Sequence, residues 1–339
     1  MTFLRPLRFF CALCLLMASF SFGYFHKNEA GKEIFSFAST FQSPRNAALQ
    51  FSNGANSTKD PGITMLNPAS LEMVQGKSNT VALHWQTGEF ADNEGLFSAT
   101  HAFGNMLLQA NYGWITYGDI DGMDESGNAT GVTHSPKSQL GSITLAFPLP
   151  HFRFGTTAKF VSDFLSGNVG DRTAMGVAFD WGILWLPGTP RFGVGISARD
   201  FGTMFRDYIA DGDNECGDYA MAETFALSAF YKPGALPRLA ITGETTFPRY
   251  SEPALRLGGE YALGRSFFIR AGFTRTWLDI SRDAKEIFNS SSRPDESNES
   301  QFLSAGLGYD NSTLALDYAF SYLAQGLGTE HRIGLRFYF

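Results

Sequence analysis

The chain ends His331-Arg-Ile-Gly-Leu-Arg-Phe-Tyr-Phe339, and this stretch governs how the rest is read. In a strand, successive side chains point to opposite faces. Ile333, Leu335, Phe337 and Phe339 therefore share one face, and Arg332, Gly334, Arg336 and Tyr338 share the other. The two faces call for two different surroundings. A C-terminal strand of a soluble sandwich supplies them as core and water. A wall strand of a membrane barrel supplies them as lipid and an aqueous lumen.

The remainder of the chain decides between these. Fourteen strand-like segments follow residue 79, at 80–86, 95–102, 105–117, 138–147, 152–162, 172–185, 191–201, 221–232, 237–247, 254–263, 265–275, 301–310, 312–322 and 331–339. Most are near the ~9–11 residues that a tilted strand needs to cross a bilayer. An even number suits a single-chain bacterial barrel. The alternation recurs: Leu314, Leu316, Tyr318, Phe320 and Tyr322 oppose Ala315, Asp317, Ala319 and Ser321. Phe192, Val194, Ile196 and Ala198 oppose Gly193, Gly195, Ser197 and Arg199. An Arg or Lys facing lipid at the midplane costs about 2–4 kcal/mol. Arg199, Arg256, Glu260, Arg270 and Asp317 are therefore expected to face the lumen, where their mixed signs allow pairing.

Connection lengths point the same way. Phe103-Gly104, Pro148–His151, Leu186–Pro190, Pro233–Leu236, Gly264 and Asn311 are tight links. They alternate with longer ones, of which Gly118–Lys137, Gly202–Ala220 and Thr276–Ser300 are the longest. Membrane barrels have short periplasmic turns and longer outer loops. The composition agrees: 33 Phe, 12 Tyr and 36 Gly accompany 17% charged residues. Mean hydropathy is only −0.11, as expected when every second residue avoids lipid. Trp85, Trp114, Trp181, Trp185, Tyr309, Tyr322 and Tyr338 near strand ends suit an interfacial girdle. The expected fold is an all-β, antiparallel, up-and-down transmembrane barrel of about 14 strands, in the bacterial outer membrane.

Residues 1–23 read as a secretory signal, with Arg5 and Arg8 before an apolar stretch and a small-residue site at Ser21-Phe22-Gly23. Cys216 is the one cysteine beyond that segment, so no internal disulfide is expected. Residues 80–339 form the barrel. Residues 24–79 alternate poorly, are too short for a domain and too apolar for a linker; a plug inside the barrel would bury them, and a periplasmic tail is the alternative. At the other end, the Gly334-x-x-Phe337-x-Phe339 spacing is similar to the signal read by the barrel-assembly machinery. That machinery and outer-membrane lipid or lipopolysaccharide are the expected partners of the wall.

Phe35-x-Phe37, Ser43-x-Arg45-x-Ala-Ala-Leu49 and Asn67-Pro68-Ala69 resemble the start of PorV/PorQ proteins, barrels related to the FadL fatty-acid transporter. Tyr117–Gly131, Gly176–Asp180 and Ser197–Gly202 resemble the PorQ member. Gln50-Phe51 stands where that family has paired glycines. The resemblance implies a role in type IX secretion, docking or presenting secreted cargo at the cell surface beside other components of that system. The rival expectation is a FadL-like channel for hydrophobic compounds. The charged inner face tilts the choice toward the first, because apolar cargo is poorly placed against unpaired charge.

Other chemistries find little footing. The net charge of −7 argues against nucleic-acid binding. The histidines lie on separate segments without metal-ligand spacing, and no Ser–His pair, phosphate loop or dinucleotide motif stands out. Neither an enzyme, a cofactor nor a metal is expected. Asp211–Glu215 and Asp119-Ile-Asp121 lack the calcium-loop register. Asn67-Pro68-Ala69 has a plain alternative role, shaping the path from plug to first strand, because proline fixes its own φ and biases its predecessor.

Overall fold

The computed structural model describes residues 33–88, 91, 93–124, 126–165, 173–188, 191–208, 221–289, 302–323 and 328–339. The secretory signal, the first residues of the plug, the acidic Asp211–Glu215 stretch and Cys216 lie outside them.

The described strands are β1 (Asn79–Gly88), β2 (Asn93–Phe103), β3 (Met106–Thr116), β4 (Ile120–Met123), β5 (Ala129–His134), β6 (Lys137–Phe147), β7 (Phe152–Phe164) and β8 (Ala174–Trp185). They continue with β9 (Phe192–Arg206), β10 (Thr224–Tyr231), β11 (Leu239–Pro248), β12 (Ala254–Leu263), β13 (Phe267–Thr276), β14 (Phe302–Asp310), β15 (Leu314–Tyr322) and β16 (Thr329–Tyr338). All except β4 and β5 form one closed antiparallel barrel of fourteen strands, each paired with its chain neighbours. No helix among the described residues is long and apolar enough to cross a membrane.

Closure occurs where the two ends of the barrel sequence meet. β1 pairs with β16 from Thr80↔Tyr338 to Gly88↔Glu330, and the Asn79 amide donates to the Phe339 carbonyl at 2.8 Å. The register puts Leu83 opposite Leu335 and Trp85 opposite Ile333. Leu83, Trp85, Ile333 and Phe337 are exposed on the outside, while Ala82, His84, Arg332 and Arg336 are buried within. The alternation that defines the last strand thus runs on across the seam. Closure leaves no unpaired edge, the condition for a sheet to survive in lipid. The protein is an outer-membrane β-barrel. Unboiled and boiled samples are expected to migrate differently on an SDS gel, because detergent alone does not open such a ladder. Identical migration would contradict closure.

Two features depart from simple alternation. β9 runs five residues past Phe201, and its pairing with β8 skips between Phe179 and Trp181. Strict alternation after Arg199 would turn Asp200 outward to lipid. The bulge instead buries Arg199 and Asp200 together, with Asp200 left-handed at φ 61. Lys159 Nζ lies 2.7 Å from both Asp180 and Asp200, and the Asp200 amide donates to Asp180 Oδ1 at 2.8 Å. An extra residue in one strand re-aims a side chain, and here it keeps a carboxylate out of the bilayer. The longer links also hold structure: β4 and β5 form a separate hairpin within Gly118–Lys137. A helix, α2 (Trp277–Asn289), opens the link between β13 and β14.

Candidate functional site

The described part of the N-terminal segment, from residue 33 on, packs inside the lumen. Phe35, Phe37 and Phe41 stack edge to face, with centroids 6.0 and 6.2 Å apart. They pack on Leu96, Ile115, Leu140, Val161 and Met204 of the inner wall. A short helix follows, α1 (Pro44–Ala48), with Pro44 at its first position and the Ser43 hydroxyl accepting from the Asn46 amide. Serine before proline is a strong start signal. Its alanines press on Ala319 of β15, and Ser304 of β14 donates to the Ala48 carbonyl at 2.9 Å. Two further single turns are capped in the same way. Asp60 accepts from Gly62 at the Pro61–Met65 turn, and Asn67 accepts from Ala69 at the Pro68–Ser70 turn.

After α1 the chain reverses through Gln50 and Phe51, at φ 50 and 57. Both are left-handed, a conformation that suits glycine and strains other residues. The side chains account for their presence. Thr274 donates to Gln50 Oε1 at 3.0 Å. The Phe51 ring has the Arg256 guanidinium 5.5 Å and the Arg332 guanidinium 5.7 Å from its centroid. Attraction between guanidinium and ring face offsets part of the strain.

Asn67-Pro68-Ala69 does not lead into the first strand. It lies against β7 and β8, which meet it with glycine. A Cβ at Gly182 would overlap Asn67 Oδ1, and one at Gly155 would overlap the backbone of Pro68 and Ala69. The motif is a seat in the wall rather than an entry. Gly334 has a similar part: its inward side faces the Pro44 ring and His84. Phe337 and Phe339 are exposed on the outer face, and Tyr338 is buried, donating to Asp310 at 3.2 Å.

Besides the Lys159–Asp180–Asp200 cluster, the five charges that alternation assigns to the lumen fall in two groups. Arg45 of α1 lies 2.9 Å from Glu260, and Glu260 lies 2.7 Å from Arg270. Arg270 and Arg336 both pair with Asp317. Arg336 then reaches Asp60 at 3.2 Å. This row of alternating signs begins on the plug, crosses β12, β13, β15 and β16, and returns to the plug. The other group is Arg199 at 3.1 Å from Glu244, with Arg256 3.9 Å from the same carboxylate. Sequence alternation picks out Glu260, Arg270 and Asp317 as lumen candidates, and they are neighbours here; Arg199 and Arg256 meet only through Glu244, which was missed. Its signal was present, since Thr242, Glu244 and Thr246 recur at every second residue. Arg45 and Asp60 were not legible as partners, because nothing local says which wall residue a loop will touch.

Burial acts to raise the Asp60 pKa, but Arg336, His84, the Ser43 hydroxyl and Arg45 together hold it well below the ordinary carboxylate range. A group depressed on folding contributes stability above its unfolded value, about 3.9 for aspartate, and loses it as pH falls toward the folded value. Acid should therefore loosen the plug below about pH 4. Asp60→Asn is expected to be less stable than wild type at pH 6 and flatter between pH 6 and 3. Protease cleavage at Lys59, followed against pH, checks this; parallel profiles for the two proteins would refute it.

Among the described residues, a cavity lies on each side of the plug. The larger, about 540 Å³, lies at the long-loop end and is lined by Phe51, Arg199, Glu252, Arg256, Thr274 and Arg332 among others. The smaller, about 380 Å³, opens among the short turns around Pro150, Leu186 and Lys232. No group of three or more His, Cys, Asp or Glu side chains among the described residues is placed to hold a metal ion.

No protein-family model matches the chain, and no curated protein matches it. Solved structures do. The toluene transporter TbuX of Ralstonia pickettii is similar at 13% identity, covering 89% of this chain and 100% of that one, with a TM-score of 0.60. The toluene transporter TodX of Pseudomonas putida is similar at 11% identity, covering 87% and 96%, with a TM-score of 0.61. The CymD monoaromatic hydrocarbon channel is similar at 13% identity, covering 88% and 96%, with a TM-score of 0.56. At these identities the likeness establishes a shared barrel fold and no more. It lends nothing to the PorV/PorQ resemblance in particular.

Proposed function

We propose that the protein is an outer-membrane channel for small hydrophobic compounds, FadL-like in kind, sealed at rest by its own N-terminal segment. The observation that carries the reading is the plugged fourteen-stranded lumen with a cavity on each side, in a fold shared with transporters of toluene and monoaromatic hydrocarbons. It reverses the preference drawn from the charged inner face. Those charges are largely paired with one another and with the plug, so they are spent on holding the segment and do not bar apolar cargo. The surface-attachment role in type IX secretion rests on the short motifs alone.

One strain lacking the gene separates the two. Uptake of toluene and of a long-chain fatty acid is measured beside the fraction of surface proteins retained on cells. Uptake is expected to fall to the passive level and to return with the plasmid-borne gene, with surface proteins retained. Released surface proteins with unchanged uptake would overturn the channel reading in favour of attachment.

A further inference from the structure

The smaller cavity carries an unusual balance of charge. Arg153, Lys232 and His151 line it against a single carboxylate, Glu72. That carboxylate is already engaged, accepting from the Ser57 hydroxyl and lying 3.7 Å from Arg153. Arg153 donates through Nη1 to Ser57, while its Nε is buried with no acceptor. Lys232 Nζ sits 5.8 Å from the centroid of Phe230, and no carboxylate among the described residues pairs with it. Beside these cations the wall is apolar. Phe230 is 4% exposed and packs with Leu184, Ala69 and Leu186.

We propose that this cavity is a periplasm-facing binding site for a small organic anion with an apolar body, such as an aryl carboxylate. A carboxylate forms charge-assisted bonds with the two cations that line the cavity, Arg153 and Lys232. The apolar body lies along Phe230 and Leu186. A neutral hydrocarbon of the same size would desolvate both cations without partnering either. A bare phosphate would leave the apolar wall in water. The volume of about 380 Å³ falls in the range of small-molecule sites, roughly 300–1,000 Å³. The site is separate from the outer cavity, and the proposal does not rest on the channel reading: it concerns equilibrium binding to the purified barrel.

The test is calorimetric titration of the full-length protein in a non-ionic detergent with benzoate, toluene and inorganic phosphate. Benzoate is expected to bind saturably, and toluene and phosphate at least about tenfold more weakly, the equivalent of one charge-assisted bond. Lys232→Gln and Arg153→Gln should each weaken benzoate by a similar factor. Lys77→Gln, outside the cavity, should not. Arg153→Gln also removes a contact to the plug. Lys232→Gln removes none, so it decides the matter, with heat-modifiable migration showing that the barrel is intact. Failure to bind benzoate would overturn the proposal. So would toluene or phosphate binding as tightly as benzoate and losing that affinity in Lys232→Gln, or benzoate affinity unchanged in the Lys232 and Arg153 variants.

Discussion

Replacing Arg336 with methionine should convert a sealed barrel into a conducting one. Arg336 is the link through which the ion-pair row returns to the plug, pairing with Asp317 on β15 and with Asp60 of the N-terminal segment. All three side chains are almost completely buried. Removing one partner from a buried pair costs about 3–5 kcal/mol, because the other charge remains without compensation. Here two carboxylates would be left. Asp60 would keep His84 at 3.7 Å and the Ser43 hydroxyl, while Asp317 would keep Arg270. The barrel has its own closed ladder, so most of the lost energy falls on the seating of the plug. Wild-type protein in a planar bilayer should show little steady current. Arg336→Met should show frequent openings, with faster cleavage at Lys59. Wild-type current and cleavage rate in the variant would mean that the plug is held by packing alone.

Gly182→Val should unseat the plug by steric means, leaving every charge in place. Its side chain would enter the space of Asn67 Oδ1 and meet the Pro68 ring. Overpacking of this kind typically costs about 1–3 kcal/mol, occasionally more. The cost should be high here, since Asn67 and Pro68 are buried and Gly155 closes the seat from the neighbouring strand. Valine otherwise suits a strand, so the barrel should still assemble. Gly259→Val is the control, because a Cβ there meets nothing within 4 Å. Cleavage at Lys59 should accelerate in the first variant and stay unchanged in the second. Equal effects at the two positions would assign the damage to the wall rather than to the plug.

These expectations bear on what was readable in advance. Wall strands were legible because lipid on one side and lumen on the other impose a period of two, and each strand repeats the message. Leu314 to Tyr322 and Ile333 to Phe339 carry it without help from their neighbours. Alternating link lengths pointed independently to a membrane barrel, with short turns at one end and longer links at the other. Asp200 marks where this reading stops. Its inward turn depends on a bulge against β8 and on Lys159 of β7, a three-strand event that no one strand encodes. The hairpin β4–β5 and helix α2 were likewise hidden inside long polar links.

The sequence by itself determined a membrane barrel of fourteen strands and which of its faces meets lipid. Local alternation suffices for that, because each residue answers only to the medium it faces. Only the tertiary structure decided how the plug is held. Arg45 and Asp60 find Glu260 and Arg336 across more than two hundred residues of chain, and Asn67-Pro68-Ala69 finds Gly155 and Gly182. Such contacts depend on which wall position a nonperiodic segment reaches after closure. That same arrangement makes the inner charges fastenings for the plug.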